Sequence, residues 1–311
     1  MECLFLGIDT SNYTTSISVT DSCGNVLSDK RRLLDVKEGA RGLRQSDALF
    51  LHIKNLPDLI DSLDFDLKSI SAVGVSYAPR NVEGSYMPVF LGGVGTGRAI
   101  AKTLGVPYYE FSHQEGHIKA GLFMQNIYDG DFYSVHMSGG TTEILKVTRN
   151  GARFDAEIVG KTLDISAGQL IDRIGVKLGF AFPCGKALDE ICAESSDIKI
   201  PSVCVKGSDI NFSGTETHFF RLIDSGVPAE EVAYLAFSAV AETLIKAISC
   251  VFDTHGKKKV LFVGGVASNS LIRNKLVDKF EDLAFFAKRE YSTDNAVGIS
   301  LLTKETYERG L

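Results

Sequence analysis

One pattern of predicted strands occurs twice in the chain, and it restricts the possible folds more than any other feature. In the stretch CLFLGIDTSNYTTSISVTDSCGNVLSDKRRLL, an apolar strand ends in small polar residues, and two further strands follow on either side of a glycine turn. The stretch DFYSVHMSGGTTEILKVTRNGARFDAEIVG repeats this order, with an Asn-Gly turn that favours a hairpin. Helices and further strands are predicted after each copy, so the sequence predicts a duplicated α/β architecture.

Chain length and composition agree with a protein of two packed lobes. The 311 residues are 44% hydrophobic and 23% charged, which is ordinary for a globular protein. We expect no contact with a membrane, because no uninterrupted apolar run approaches the roughly 18 residues that span a bilayer. The stretch MECLFLGIDTS lacks the basic flank of a signal peptide, so the expected location is cytoplasmic. The six cysteines form no CxxC pair and are expected to be reduced thiols.

The charge balance bears on nucleic-acid binding. A net charge of −6 and a pI of about 5.6 argue against a surface that coats nucleic acid. A local RNA contact stays open, because a small basic patch on an acidic protein suffices. The dense basic clusters, Lys30-Arg31-Arg32 and Lys257-Lys258-Lys259, are more typical of solvated turns or strand ends.

The stretch FSHQEGHIKAG places two histidines four residues apart. On a helix, His113 and His117 share one face and present nitrogens to the same point. A zinc peptidase needs a glutamate directly after the first histidine, but Gln114 stands there and Glu115 is displaced by one position. The pair therefore predicts a metal site or a chance surface pair, and a peptidase is excluded.

Glycine-bearing turns follow predicted strands at several points of the duplicated pattern. Glycine allows close approach of the backbone, and the exposed N–H groups suit phosphate oxygens. The turn Ser138-Gly139-Gly140 ends one strand, and the turn Gly264–Asn269 ends another and begins a helix. Taken together, these turns predict a nucleotide in a cleft between the two lobes.

In combination, these segments resemble one family. The sequence is similar to the tRNA threonylcarbamoyl-adenosine transferases of the actin-like ATPase superfamily, proteins once described as O-sialoglycoprotein endopeptidases. The resemblance runs over nearly the whole chain, from Leu4–Ser11 to Ser292–Ala296. The motifs between these ends, in the family's order, are His113–His117, Met137–Thr141, Lys161–Gly168, Phe212–Gly214 and Gly264–Asn269. A sugar or acetate kinase of the same superfamily does not account for the histidine pair.

The resemblance implies a fold and a domain organisation. The expected fold is α/β, a duplicated actin-like ATPase (ribonuclease H-like) fold of two lobes with a cleft between them. Lobe I is expected to cover residues 1–112, and the C-terminal helix, 294–311, is expected to pack back on it. Lobe II is expected to cover residues 113–293.

The resemblance also implies two bound cofactors. One divalent or ferric metal ion, iron or zinc, is expected on His113, His117 and Asp294, where a distant carboxylate completes the imidazole pair. His136 is open to two interpretations: a fourth ligand, or a buried strand histidine with one hydrogen bond. An adenine nucleotide is expected on nine further residues: Met137, Ser138, Gly139, Gly140, Thr141, Asp172, Gly185, Asp189 and Asn269.

Two functions follow from the resemblance. The first is transfer of the threonylcarbamoyl group from threonylcarbamoyl-AMP to adenine in tRNA, with partner proteins of that pathway, including a smaller paralogue. The second is a divergent, weakly active or inactive relative that binds metal and nucleotide and assists a true transferase. Several neutral residues at positions where the family carries acidic side chains favour the second: Tyr13, Thr14, Ile165 and Gln169. Two further departures are Thr141 and the pair Cys184-Gly185, which replaces a double glycine.

Overall fold

The computed structural model describes residues 3–11, 13–35, 43–125, 127 and 130–310. The strands are β1 Leu4–Asp9, β2 Thr14–Thr20, β3 Val26–Leu33, β4 Ile70–Ala78, β5 Tyr108–Ser112, β6 Phe132–Met137, β7 Thr142–Asn150, β8 Arg153–Lys161, β9 Cys204–Lys206, β10 Asp209–Asn211, β11 Val260–Val263 and β12 Ala284–Phe286. The α-helices are α1 Gln45–Asp61, α2 Leu91–Leu104, α3 His113–Leu122, α4 Ala167–Lys177, α5 Gly185–Ile191, α6 Ser213–Asp224, α7 Ala229–His255, α8 Ser270–Phe280 and α9 Val297–Glu308.

The chain divides into two compact units. The first unit comprises Met1–Met124, Arg149–Asp155 and Thr293–Leu311, and the second comprises Gln125–Thr148 and Ala156–Ser292. Helix α3 thus belongs to the first unit, whereas the boundary expected after residue 112 places it in lobe II. The physical reason is that α3 packs against α9, the helix that the resemblance implies to lie with lobe I.

The first unit is built on a five-stranded sheet in the order β3-β2-β1-β4-β5. Strand β1 pairs antiparallel with β2 and parallel with β4, and β4 pairs parallel with β5. Both faces of the central strands are covered, so β1 and β4 are almost wholly buried. The parallel arrangement brings the carboxyl ends of β1, β4 and β5 to one edge of the sheet, where Asp9, Ser76 and Ser112 lie.

Helices α3 and α9 cross at unusually close range. A Cβ on Gly298 would lie 1.8 Å from the backbone oxygen of Gly116, and a Cβ on Gly116 would lie 3.0 Å from Ile299. The N-terminus of α3 is fixed by a capping box, in which Ser112 and Glu115 each satisfy the other's backbone N–H. These features hold the first turns of α3 and the segment before α9 in fixed positions.

The second unit contains a sheet of matching design, in the order β12-β11-β6-β7-β8. Strand β6 pairs antiparallel with β7 and parallel with β11, as β1 pairs with β2 and β4 in the first unit. The predicted duplication is therefore confirmed. A small two-stranded sheet of β9 and β10 lies outside this repeat.

Helix α7 forms the centre of the second unit's core. By length and composition it could cross a membrane, but 72% of its most apolar window is buried inside the fold. That burial is the state expected of a core helix, which passes the same test.

Candidate functional site

The predicted metal ligands come together in the first unit. His113 and His117 lie on successive turns of α3, with ring centroids 4.3 Å apart. The Nε2 atoms of His117 and His113 lie 3.2 Å and 3.7 Å from Oδ1 of Asp294. One ligand atom from each of the three residues lies within 4.8 Å of the others. The three residues singled out in the sequence therefore form a real cluster.

Asp294 precedes α9 and is not part of it. The predicted helix began at residue 294, but α9 begins at Val297, because the side chain of Asn295 accepts a hydrogen bond from the N–H of Val297 at 2.9 Å. The amide of Asn295 also donates to the carbonyl of Thr293 at 2.7 Å. These local bonds shape the turn that carries the Asp294 carboxylate to the two imidazoles.

A fourth residue, Asp9, completes the cluster on its inner side. Its Oδ2 lies 3.0 Å from Nδ1 of His113, on the ring edge away from Asp294. The Asp9 side chain is fully buried and also accepts hydrogen bonds from Ser11 and Ser76. Asp9 is not among the predicted site residues, and its only signal in the sequence is a carboxylate at the end of an apolar strand.

The charges of this cluster compensate one another. Burial alone would lower the pKa of His113, but the carboxylates of Asp9 and Asp294 raise it to about 10. Burial alone would raise the pKa of both carboxyl groups. However, His113 and Ser76 lower the pKa of Asp9, and His113 and His117 hold the pKa of Asp294 far below its usual value. The protonated His113 imidazole thus lies between two carboxylates.

The donor set fits a transition-metal or zinc ion. Two imidazoles and one carboxylate on one side are typical of non-haem iron and catalytic zinc sites, which keep further positions open. With His113 neutral, the carboxylates of Asp9 and Asp294 would leave negative charge at this site, which favours a cation between the ligand atoms. A bound divalent ion would displace the proton of His113 Nε2, so metal affinity and pH are coupled.

The predicted phosphate loop lies in the second unit, directly after β6. The N–H of Ser138 donates to the carbonyl of Thr141 at 2.8 Å, and the Ser138 hydroxyl accepts from the N–H of Thr141 at 3.1 Å. Gly139 and Gly140 are exposed, and a Cβ added to either would meet no described atom within 4 Å. The loop thus leaves open space beside the two glycines.

Two glycines outside the loop allow neighbouring segments to pack directly against its backbone. A Cβ on Gly168, in the first turn of α4, would lie 2.5 Å from the carbonyl oxygen of Ser138. A Cβ on Gly264 would lie 2.1 Å from the carbonyl oxygen of Met137, and Gly264 has a φ of 97° that favours glycine. The hydroxyl of Ser166 donates to the carbonyl of Gly139 at 2.9 Å.

Of the remaining predicted nucleotide contacts, Asn269 and Asp189 are hydrogen-bonded to each other, whereas Asp172 bonds the backbone next to Gly185. The carboxylate of Asp172, on α4, accepts from the N–H of Cys184 at 2.8 Å, directly before Gly185 and α5. The amide of Asn269 donates to Asp189 at 2.6 Å, and its oxygen accepts from Ile272 to cap α8. Burial raises the pKa of both Asp172 and Asp189.

Three predicted positions have other structural roles as well. The Met137 side chain is fully buried in the hydrophobic core, so only its backbone is available to a ligand. Thr141 closes the turn with Ser138. His136 lies on β6 opposite Glu143 in register, and both interpretations, a fourth ligand and a strand histidine with one hydrogen bond, stay predictions.

One of the acidic-to-neutral departures has a structural explanation. Gln169 is the third residue of α4, and its side-chain oxygen accepts from the N–H of Ser166 in a capping box, which glutamine forms as well as glutamate. Its neighbour in the motif, Asp164, keeps its carboxylate and accepts hydrogen bonds from the N–H groups of Phe212 and Ser213. Gln169 is therefore a helix-capping residue, and its neutrality does not argue for lost catalysis.

Similarity to known proteins extends over nearly the whole chain. The family model TsaD, described as tRNA N6-adenosine threonylcarbamoyltransferase, matches residues 46–301. A tRNA N6-adenosine threonylcarbamoyltransferase of Thermosipho africanus is 27% identical over 324 residues, which cover 99% of this chain and 96% of the relative.

Two solved structures share the fold at low sequence identity. Component A of (R)-2-hydroxyglutaryl-CoA dehydratase from Acidaminococcus fermentans superposes with a TM-score of 0.61 at 14% identity, over 98% of this chain and 99% of that one. A ROK family glucokinase from Streptomyces griseus, solved with glucose and AMPPNP, gives a TM-score of 0.56 at 14% identity, over 97% and 99%. This likeness shows an actin-like ATPase fold. The match to the family model shows more, and the chain belongs to the tRNA N6-adenosine threonylcarbamoyltransferase family, which acts in the biosynthesis of threonylcarbamoyladenosine in tRNA.

Proposed function

We propose that this protein transfers the threonylcarbamoyl group from threonylcarbamoyl-AMP to the exocyclic amine of an adenine in tRNA. The amine nitrogen forms a bond to the carbamoyl carbon, the bond from that carbon to the phosphate oxygen breaks, AMP leaves with the electron pair, and the amine loses one proton. The observation that carries this proposal is the intact cluster of His113, His117 and Asp294, whose ligand atoms lie close enough together to hold one metal ion.

The residues of the first unit supply the metal site. An iron or zinc ion held there would act as a Lewis acid and as a template for oxygen atoms of the threonylcarbamoyl group. His113 and His117 would hold the ion through the ring nitrogens that face Asp294, whose carboxylate is partly exposed. The charge of this set suits a divalent or ferric ion.

The residues of the second unit supply the nucleotide site. The N–H groups around Gly139 and Gly140 are proposed to bind phosphate oxygens, because the missing side chains leave room for close approach. Asp172 and Asp189 are proposed to accept hydrogen bonds from ribose hydroxyls. A glucokinase of the same fold binds AMPPNP, which supports an adenine nucleotide here.

A glycine substitution tests the nucleotide site. Gly139→Val should weaken AMP binding by about 10- to 100-fold, since hydrogen bonds to a charged group contribute roughly 1.5–3 kcal/mol each. The matched control is Gly95→Val, because Gly95 on α2 also has no atom near its Cβ position but lies in the first unit. Calorimetric titration with AMP measures both. Equal affinity for AMP in the Gly139→Val and Gly95→Val variants would show that this loop does not bind the nucleotide.

The second candidate function is that of a weakly active partner of a true transferase. Tyr13 and Thr14 favour it, because they are neutral where the family carries an acidic pair. A neutral side chain in place of one catalytic carboxylate costs on the order of 10²-fold in rate. Thr14 is 6% exposed at the start of β2. An acidic residue at this position would therefore need hydrogen bonds or a nearby positive charge to offset its lost hydration.

A tRNA modification assay separates the two functions. With purified adenylate-forming enzyme and partner proteins, including the smaller paralogue, we expect slow transfer, about 10²-fold below that of a relative with the acidic pair. Tyr13→Asp with Thr14→Glu should raise the rate, and Tyr13→Asp alone provides the variant without a new buried carboxylate. Transfer as fast as that of such a relative would exclude the partner function and show that the protein is a fully active transferase.

A further inference from the structure

The Asp9 carboxylate is held more firmly than its contact with His113 requires. It lies at the carboxyl end of β1, the central strand of the first unit's sheet, and its side chain is fully buried. Its Oδ2 accepts from the Ser11 hydroxyl at 2.9 Å, and its Oδ1 accepts from the Ser76 hydroxyl on the neighbouring strand β4. Each oxygen of the carboxylate therefore has a hydroxyl donor besides the imidazole.

The backbone around Asp9 is fixed as well. Its carbonyl oxygen accepts from the Ser16 hydroxyl at 3.2 Å. The next residue, Thr10, donates its hydroxyl hydrogen to the carbonyl of Val89 at 3.2 Å and accepts from the N–H of Gly93 at the same distance. The strand end thus cannot shift along the sheet without breaking bonds to three neighbouring segments.

The contact determines which nitrogen of His113 is available. A carboxylate only accepts hydrogen bonds, so Asp9 requires a hydrogen on Nδ1 of the imidazole. In neutral imidazole the other nitrogen, Nε2, then carries the lone pair, and this is the atom that faces Asp294. His117 directs its Nε2 to the same carboxylate oxygen at 3.2 Å.

Net stabilisation of the fold does not account for this arrangement. A buried ion pair gains little over an apolar pair of similar shape, because both charges lose their hydration. A role that depends on direction would offset this cost, and the direction that Asp9 sets is that of the His113 ring.

We propose that Asp9 is a positioning residue for the metal site, which holds His113 as the Nδ1–H tautomer with Nε2 directed to the ion, and that Ser76 and Ser11 hold Asp9 in turn. The inference rests on the proposed function, since it assumes that His113, His117 and Asp294 bind a metal. Asp9 itself is not a ligand, because it occupies the opposite edge of the ring.

The test is the affinity for Zn²⁺, measured by competition with a chromophoric chelator on the full-length protein. Asp9→Asn should weaken Zn²⁺ binding by about 10- to 100-fold, the usual effect of removing a group that orients a metal-bound histidine. Ser76→Ala should also weaken Zn²⁺ binding, but less than Asp9→Asn does. The absorption spectrum of the Co²⁺-loaded protein should change in both variants, because the ligand geometry around the ion changes.

Asp21→Asn is the matched control. Asp21 is also a buried carboxylate at the end of a strand, β2, where it accepts hydrogen bonds from Asn25, but it lies at the opposite edge of the same sheet. Its substitution should leave Zn²⁺ affinity unchanged, and thermal unfolding without metal shows how much of each protein is folded. If the Asp9→Asn variant does not fold, the Zn²⁺ affinity of the Ser76→Ala variant tests the proposal instead.

The outcomes distinguish this inference from the function on which it rests. Wild-type Zn²⁺ affinity in both Asp9→Asn and Ser76→Ala would overturn the positioning role and leave the metal site intact. Equal weakening in Asp9→Asn and Asp21→Asn would overturn it too, as a general loss of stability. Absence of Zn²⁺ binding by the wild-type protein would instead overturn the metal site, and with it the proposed function.

Discussion

Replacing His113 and His117 together by alanine is expected to reduce metal content from about one ion per chain to none, with both units still folded. The double variant removes two of the three ligands, and the remaining carboxylate of Asp294 does not bind a single ion tightly in water. Loss of the metal should also lower threonylcarbamoyl transfer by at least about 10²-fold, because a Lewis acid contributes several kcal/mol to such reactions. Elemental analysis of the purified protein and the tRNA modification assay measure the two effects.

A second histidine pair provides the control for this experiment. His218 on α6 and His255 at the end of α7 are both exposed and lie in the second unit. The variant His218→Ala with His255→Ala removes the same number of imidazoles and should keep full metal content. Metal retained by the His113 and His117 double variant would show that the ion binds elsewhere.

Among Gly→Ala changes at the described glycines of the first unit, Gly298→Ala is expected to destabilise the fold most. The new Cβ would lie 1.8 Å from the backbone oxygen of Gly116, so α3 and α9 must move apart. Overpacking typically lowers the free energy of unfolding by about 1–3 kcal/mol, and we expect the upper end here because the obstacle is backbone, which cannot rotate away. Since α3 carries both histidines and α9 follows Asp294, metal affinity should fall as well.

Urea unfolding and Zn²⁺ titration measure the two consequences of this substitution. Gly95→Ala serves as the control, because its Cβ meets no atom within 4 Å and alanine is the better helix former by about 1 kcal/mol. That variant should be as stable as the wild type or slightly more stable. A Gly298→Ala protein with unchanged stability and metal affinity would show that the close crossing of α3 and α9 does not hold the site together.

The sequence predicted some residues of the metal cluster and not others. His113 and His117 are local, since an i, i+4 pair on a helix converges whatever the rest of the fold does. Asp294 was assigned only through the family resemblance, because nothing in local periodicity connects it with α3. Asp9 was missed, since its contact with His113 depends on the parallel order of β1, β4 and β5, which pairs strands distant in sequence.

The duplicated architecture was predictable because each copy carries its own turn signals. The boundary between the units was not, because it depends on helix packing. Gly116 within the histidine motif and Gly298 near the C-terminus each look like an ordinary glycine in the sequence, and only together do they let α3 pack on α9. Gln169 was interpreted as a lost acidic group, whereas its capping role requires only a side-chain oxygen.

The location of the bound metal decides whether the proposed transfer can occur, since that transfer depends on an ion at the histidine pair. Crystals of the protein with Zn²⁺, measured at the zinc absorption edge, should show an anomalous peak at about 2.0–2.2 Å from Nε2 of His113, Nε2 of His117 and the carboxylate of Asp294. A peak bonded to other residues, or no peak at these three in a crystal that contains zinc, would contradict the proposed transfer.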